Sequence, residues 1–520
     1  MSGRGREGVI MRTVMLAIVG LSLVAPQLSA GTYYVSTAGD DAYPGTIDLP
    51  FKTIPRGVTA AFVGDTIFVR GGIHVYNTTI NISKQGMDSS WFYLLAFPGE
   101  RPFLDFSSMP TSTNLRGINL SGTYWHIKGF DIYRAGDNGM LLRGHYNVIE
   151  FCSFFENRDT GLQLSNGASN NRIINCDSYY NVDTTQGNAD GFAPKLDVGT
   201  GNYFYGCRAW QNSDDGWDGY LRPSNGVITT IENSWCFMNG YLKTGLPSVG
   251  NGNGYKMGGG DNGNADSLRH IMILRNCLAF DNRVKGYDQN NNRGSMVLLN
   301  CTGYRNGTNY SVGQVLASEE SLVVKNCAAL GSSGPIASFA IQQTNSWMSP
   351  FVVTTEDFVS VDTAGMRAPR KPDGSLPDIT FMHLAQGSDL IDAGTDIGLP
   401  FNGTAPDLGC FETDGPVAVE EDQRSPEGFV LDQNYPNPFN PSTTFEFQIP
   451  RLPGGQAKSE FVSLKVFDIL GQEVVTLVNE QKPGGSHTVT FDGSRLAGGV
   501  YFYRLVSGAK SVVKKLTILK

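Results

Sequence analysis

A cysteine followed five residues later by an asparagine recurs through the middle of this chain. The pairs are Cys152/Asn157, Cys176/Asn181, Cys207/Asn212, Cys277/Asn282 and Cys301/Asn306, and each encloses an aromatic residue. Ser234/Asn239 fits the same frame, and Cys327 fits it without the asparagine. From Cys152 to Cys327 the steps are 24, 31, 27, 43, 24 and 26 residues. A preserved motif at uneven steps describes coils of similar cross-section joined by loops of variable length. A parallel β-helix meets that description, and a quasi-one-dimensional fold lets 520 residues avoid the size limit of a single compact core. Leucine-rich repeats are excluded by the missing leucine spacing, and a propeller by the lack of tight two-residue hairpin turns.

In such a stack the asparagines share one bend, where their amides bond above and below as a ladder. The cysteines read as a column of small buried side chains. Stacked thiols have parallel Cβ vectors, a poor geometry for bridging, so free cysteines are expected even in an exported chain. No CxxC or neighbouring histidine pattern suggests a soft-metal site.

Composition agrees with an all-β chain. Only 17% of residues are charged and 63 are glycine, which suits short strands and turns, and no long helical pattern occurs. The formal charge of −9 argues against a general nucleic-acid binder. Residues 190–293 carry ten acids and ten bases, so this window is locally neutral and can accept an anionic ligand.

Residues 1–30 read as an export signal: Arg4, Arg6 and Arg12 precede an apolar run from Val14 to Val24, and small residues end at Ala30. The run is shorter than the ~20 residues a span needs, so the mature chain is expected outside the cytoplasm without a membrane span. The solenoid is expected over 31–411, opened by a short capping helix between Phe51 and Ala61 and closed by turns at 390–409. An acidic linker, 412–428, leads to a small antiparallel sandwich over 429–520, with strands near 462–467, 472–478, 487–491 and 500–506.

A second repeat carries the chemistry. Glycine precedes a large side chain in Gly161-Leu162, Gly191-Phe192, Gly216-Trp217, Gly254-Tyr255 and Gly286-Tyr287. Aligned on that glycine, the preceding position reads Thr160, Asp190, Asp215, Asn253, Lys285. The position two residues after it reads Gln163, Ala193, Asp218, Lys256, Asp288. Stacked at about 4.8 Å, these columns bring Asp190, Asp214, Asp215 and Asp218 together. Four such charges repel by several kcal/mol unless a cation joins them, and oxygen donors without histidine or cysteine favour Ca²⁺. Asp190 and Asp215 sit on the opposite parity from Asp218, so they are expected in the turn entering the strand, with glycine permitting the redirection.

Lys256 falls one coil after Asp218. A lysine beside a cation site can act as a base if its pKa is lowered. A cation plus a lysine base suits β-elimination on a uronic-acid polymer, where a neutralised carboxylate acidifies the neighbouring hydrogen. Lys195, Lys285 and Arg293 are candidates for binding substrate carboxylates, Arg293 through its planar fork. Two other readings share the scaffold: a glycoside hydrolase using Asp214 and Asp218 as a carboxyl pair, and a non-catalytic surface protein that binds glycans.

The segments Asp190-Gly191-Phe192-Ala193, Ser213–Gly219, Asn253–Lys256 and Lys285–Asn291 resemble the family-nine pectate lyases. That resemblance spans roughly 31–411. It implies a right-handed parallel β-helix, Ca²⁺ on the four aspartates and a lysine base that matches Lys256, with an acidic polysaccharide such as polygalacturonate as substrate. Tyr255 and Met257 replace the Phe and Leu the resemblance leads one to expect. Residues 429–520, through Leu470-Gly471 and Leu496–Tyr501, are similar to the sorting domains of the bacterial type-nine secretion system. This implies a partner in the secretion machinery and a secreted or cell-surface location.

Overall fold

The computed structural model describes Gly3, residues 30–413 apart from 262 and 264–266, and residues 430–518 apart from 435, 438, 450–458, 468–472 and 508–509. The export signal, nearly all of the linker and Leu470-Gly471 lie outside the described residues. The chain divides into two compact units, Met1–Val417 and Ala418–Lys520.

In the first unit, short strands cycle through three sheets of 12, 9 and 10 strands. Each strand pairs in parallel with its counterparts one coil earlier and later. The winding is right-handed, as parallel crossovers almost always are. The alternating stretch 147–155 is two strands, Val148–Glu150 and Ser153–Phe155, separated by a sharp corner. Phe151 makes that corner in the left-handed region, at φ 51°. Asn175, Asn233, Asn276, Asn300 and Asn326 do the same in later coils, each just before the cysteine/serine column. Asparagine tolerates this conformation better than most residues.

The ladder runs as expected. Asn157 Nδ2 donates to Asn181 Oδ1 at 2.9 Å, Asn181 to Asn212 at 2.8 Å, Asn212 to Asn239 and Asn239 to Asn282 at 3.0 Å, and Asn282 to Asn306 at 2.9 Å. A second ladder, Asn147–Asn171–Asn202, turns another corner with 3.1 Å bonds. All eight cysteines are buried and unbridged. Inside the second sheet, Phe192, Trp217, Tyr255, Tyr287 and Tyr310 form a continuous ring stack with centroids 4.8–5.3 Å apart. Each such pair adds about 0.5–1.5 kcal/mol beyond area burial.

The motif glycines have a different reason from the one their sequence suggests. Gly191, Gly216, Gly254 and Gly286 are absent from the left-handed region. They are needed for space: a Cβ on each would stand 2.7–2.9 Å from the amide nitrogen of the ladder asparagine packed against it. At Gly216 it would also meet Cys236 Sγ at 2.0 Å.

The first coil is covered by a helix, Ile54–Ala60, which buries Ile54 and Val58 and is capped by Thr53. Coiling stops at the strand Ile341–Gln343, earlier than the closing turns suggest. The following chain, to about residue 411, is largely irregular and packs back on the third sheet, where Phe381 lies 4.7 Å from Phe280. Asp177 anchors this return through Arg208 at 2.8 Å and Arg370 at 2.7 Å. Burial opposes the Asp177 charge, but the two guanidiniums outweigh it and hold the carboxyl down at about 2. A depressed carboxyl pKa contributes stability that is full above the unfolded value of about 3.9 and lost as pH falls toward 2. Asp177→Asn is therefore expected to destabilise the chain near neutrality, and urea unfolding should show the gap to wild type closing over that window.

The second unit holds two antiparallel sheets. One contains Val430–Leu431, Ser442–Ile449 and Gly485–Asp492; the other contains Glu473–Pro483, Ser459–Phe467, Gly499–Ser507 and Lys510–Ile518. Phe445 and Tyr503 meet between them at 4.6 Å, in a core of their own. Among the described residues, no helix is long and apolar enough to cross a membrane.

Candidate active site

The outer face of the nine-stranded sheet carries the aligned columns. Gln163 pairs with Ala193, Asp218 with Lys256, and Lys256 with Asp288. Trp217 pairs with Phe192, which puts Asp218 in the same column. The column preceding the glycines is linked by hydrogen bonds. Thr160 Oγ1 donates to Asp190 Oδ2 at 3.2 Å, Asp215 N to Asp190 Oδ1 at 3.1 Å, and Asn253 N to Asp215 Oδ1 at 2.8 Å.

Asp190, Asp215 and Asp218 each place a carboxylate oxygen within 4.8 Å of the others, and all three are buried. Two unit charges about 4 Å apart repel by roughly 4 kcal/mol at an effective dielectric near 20, so the acids require cations. Lys256 Nζ stands 3.1 Å from Asp215 and 3.2 Å from Asp218. Lys195 Nζ stands 2.6 Å from Asp190 and 3.3 Å from Asp218. Burial opposes the charge on both amines, but the surrounding aspartates outweigh it and raise both above the ordinary lysine value. Burial pushes Asp190 and Asp215 up. It acts the same way on Asp218, where Lys256 and Lys195 prevail and the carboxyl is lowered.

Asp214 lies at the rim. Its carboxylate accepts the backbone N–H of Asn251 and, at 3.4 Å, the Asn251 amide, so the loop 240–252 closes on it. Burial and then Asp215 push its carboxyl up to about 9. With all four aspartates ionised, the state a bound cation would favour against burial, the two lysines leave a formal charge of −2, which suits one divalent ion. Asp215 Oδ2 is buried with no hydrogen-bond donor, only the Lys256 ion pair. The donors are all hard oxygens, so the residues present fit Ca²⁺.

A cleft of about 500 Å³ opens over this cluster, lined by Lys195, Asp214, Asp218, Tyr220 and Lys256 and, farther along, Gln163, Asn138 and Arg116. Lys256 Nζ also lies 5.7 Å from the Tyr220 ring centre. Lys285 and Arg293 do not line this cleft. Lys285 bonds Asp288 at 2.9 Å, and Arg293 donates to the Val315 carbonyl at 2.8 Å. Sequence reasoning missed Tyr220 and Asn251, which follow no repeat, and the facing acids Asp137 and Asp159.

A parallel β-helix with buried acids and lysines on one sheet face, opening on a polar cleft, defines a polysaccharide lyase of the β-helix class. Residues 33–326 match the family described as "Pel9A-like, right handed beta helix region", and the chain belongs to that pectate lyase family. It is 38% identical to pectate lyase L of Dickeya chrysanthemi over 393 residues, 73% of this chain and 90% of the relative. The crystal structure of pectate lyase Pel9A superposes with a TM-score of 0.68 at 36% identity, over 74% of this chain and 97% of that one. A rhamnogalacturonan lyase follows at 0.61 and 28%, over 69% and 97%. Residues 433–519 match the secretion system C-terminal sorting domain, which marks the chain as secreted or attached to the cell surface.

Proposed function

We propose that the chain cleaves polygalacturonate by calcium-assisted β-elimination, with Lys256 removing the proton. The observation that carries this reading is the position of the Lys256 amine: at the cleft floor, against two members of a three-acid cluster. Asp190, Asp215 and Asp218, with Asp214 as the fourth ligand, would hold the ion. Bound there, Ca²⁺ supplies neutralisation of the substrate carboxylate, which makes the hydrogen on the adjacent carbon more acidic. Lys256 must be neutral to take that hydrogen. In the cluster as it stands the aspartates outweigh burial and hold the Lys256 amine above the ordinary lysine value, so losing its proton would require a cation to take up the charge of Asp215 and Asp218. The electron pair left on carbon forms the double bond as the glycosidic oxygen on the neighbouring carbon departs. Lys195, on the cleft wall, is assigned to a substrate carboxylate; Lys285 and Arg293, outside the cleft and engaged with Asp288 and the Val315 carbonyl, are given no substrate role.

The test is incubation of purified protein with polygalacturonate, with and without chelator, followed by product analysis. Unsaturated products that vanish with chelator and return with calcium are expected. Saturated products insensitive to chelator would instead identify a hydrolase, and binding without chain shortening a glycan-binding surface protein.

A further inference from the structure

The outward column continues past the acidic cluster, through Gln163, Leu141, Asn119 and Asn81 on successive coils. The cleft continues with it. A groove of about 160 Å³ is lined by Thr79, Asn81, Asn119, Leu141, Arg116 and Arg143, and Arg116 lines the main cleft as well. Arg116 is fixed in place, with Nε 2.9 Å from Asp137 Oδ2. Arg143 lies one residue beyond the strand Met140–Leu142. Its side chain is exposed and makes no hydrogen bond or ion pair among the described residues. The floor is a flat amide pair, Asn119 Nδ2 donating to Asn81 Oδ1 at 2.8 Å. Two buried polar atoms there, Thr79 Oγ1 and Asn119 Oδ1, have no partner.

A free planar cation and two unfilled polar atoms belong to residues lining one groove, which shares Arg116 with the main cleft, and together they match a carboxylated sugar. From Lys256 back to Leu141 is four coils, about 19 Å at ~4.8 Å each. Building on the uronate-cleaving reading above, we propose that this groove is a distal subsite. In it Arg143 pairs with the carboxylate of a uronate several sugars from the scissile bond, through the bidentate geometry guanidinium favours. Arg143 touches no reacting atom. It holds long chains and contributes nothing to a substrate too short to reach it.

The experiment compares wild type, Arg143→Ala and Arg143→Lys on polygalacturonate and on a galacturonate trimer, which is too short to span the four coils. Arg143→Ala is expected to raise KM for the polymer by about tenfold or more, the scale of one lost charged hydrogen bond, with kcat unchanged. Trimer kinetics should match wild type, and Arg143→Lys should recover part of the polymer KM. Equal losses on both substrates, or none on either, overturn the subsite. Calorimetric binding of polygalacturonate reads the groove without turnover. If wild type cleaves neither substrate, the reading above fails, and the subsite stands or falls on whether Arg143→Ala weakens that binding.

Discussion

Replacing Lys256 by alanine is expected to lower the rate of unsaturated-product formation by about 10²–10⁴-fold, the usual contribution of a positioned base. The variant should be measured in saturating calcium, because its removal leaves Asp215 and Asp218 without their 3.1 and 3.2 Å partner. An uncompensated buried charge costs roughly 3–5 kcal/mol. With the ion present, the circular dichroism spectrum and melting temperature should stay near wild type, which separates lost chemistry from lost fold. Lys256→Arg sharpens the test. It preserves the cation but not a group that can become neutral, so it should be nearly as inactive as alanine. Near-normal turnover in either variant would remove Lys256 as the base.

Asp190→Asn is expected to abolish measurable calcium binding in calorimetry. Even changes to residues that merely support metal ligands cost about 10–100-fold in affinity, and Asp190 bonds both Lys195 and the Asp215 backbone. Calcium at roughly 100 times its Kd should stabilise wild type by about 2.7 kcal/mol, and this increment should disappear in the variant. A thermal shift on calcium addition that survives in Asp190→Asn would place the ion elsewhere.

The solenoid and its site were legible because both repeat. Glycine followed by a large apolar side chain marks the inward position, so the residue after it must point outward, and Asp218, Lys256 and Asp288 fall into one column by counting alone. Features that occur once escaped the same reasoning. Asp214 is legible beside Asp215, but the Asn251 contact on its carboxylate is not, because no repeat specifies the loop 240–252. The partners of Lys285 and Arg293 depend on local side-chain choice, which spacing does not encode. One missed signal was regular: asparagine directly before the cysteine/serine column at 175, 233, 276, 300 and 326, each at a left-handed corner. It could have located the bends between sheets one residue at a time.

The acids and Lys256 occupy inner strands of the nine-stranded sheet: Phe192–Pro194, Trp217–Asp218 and Tyr255–Lys256, with four strands beyond them on one side and two on the other. Each coil pairs with its immediate neighbours, and the returning chain to about residue 411 braces the third sheet at Asp177 and Phe280, so loosening begins at the open ends of the stack. Fraying at either open end of the stack must pass two or four strands of this sheet before it reaches the candidate site. For a secreted or surface-attached enzyme, that placement keeps the acids and Lys256 away from the ends most open to attack.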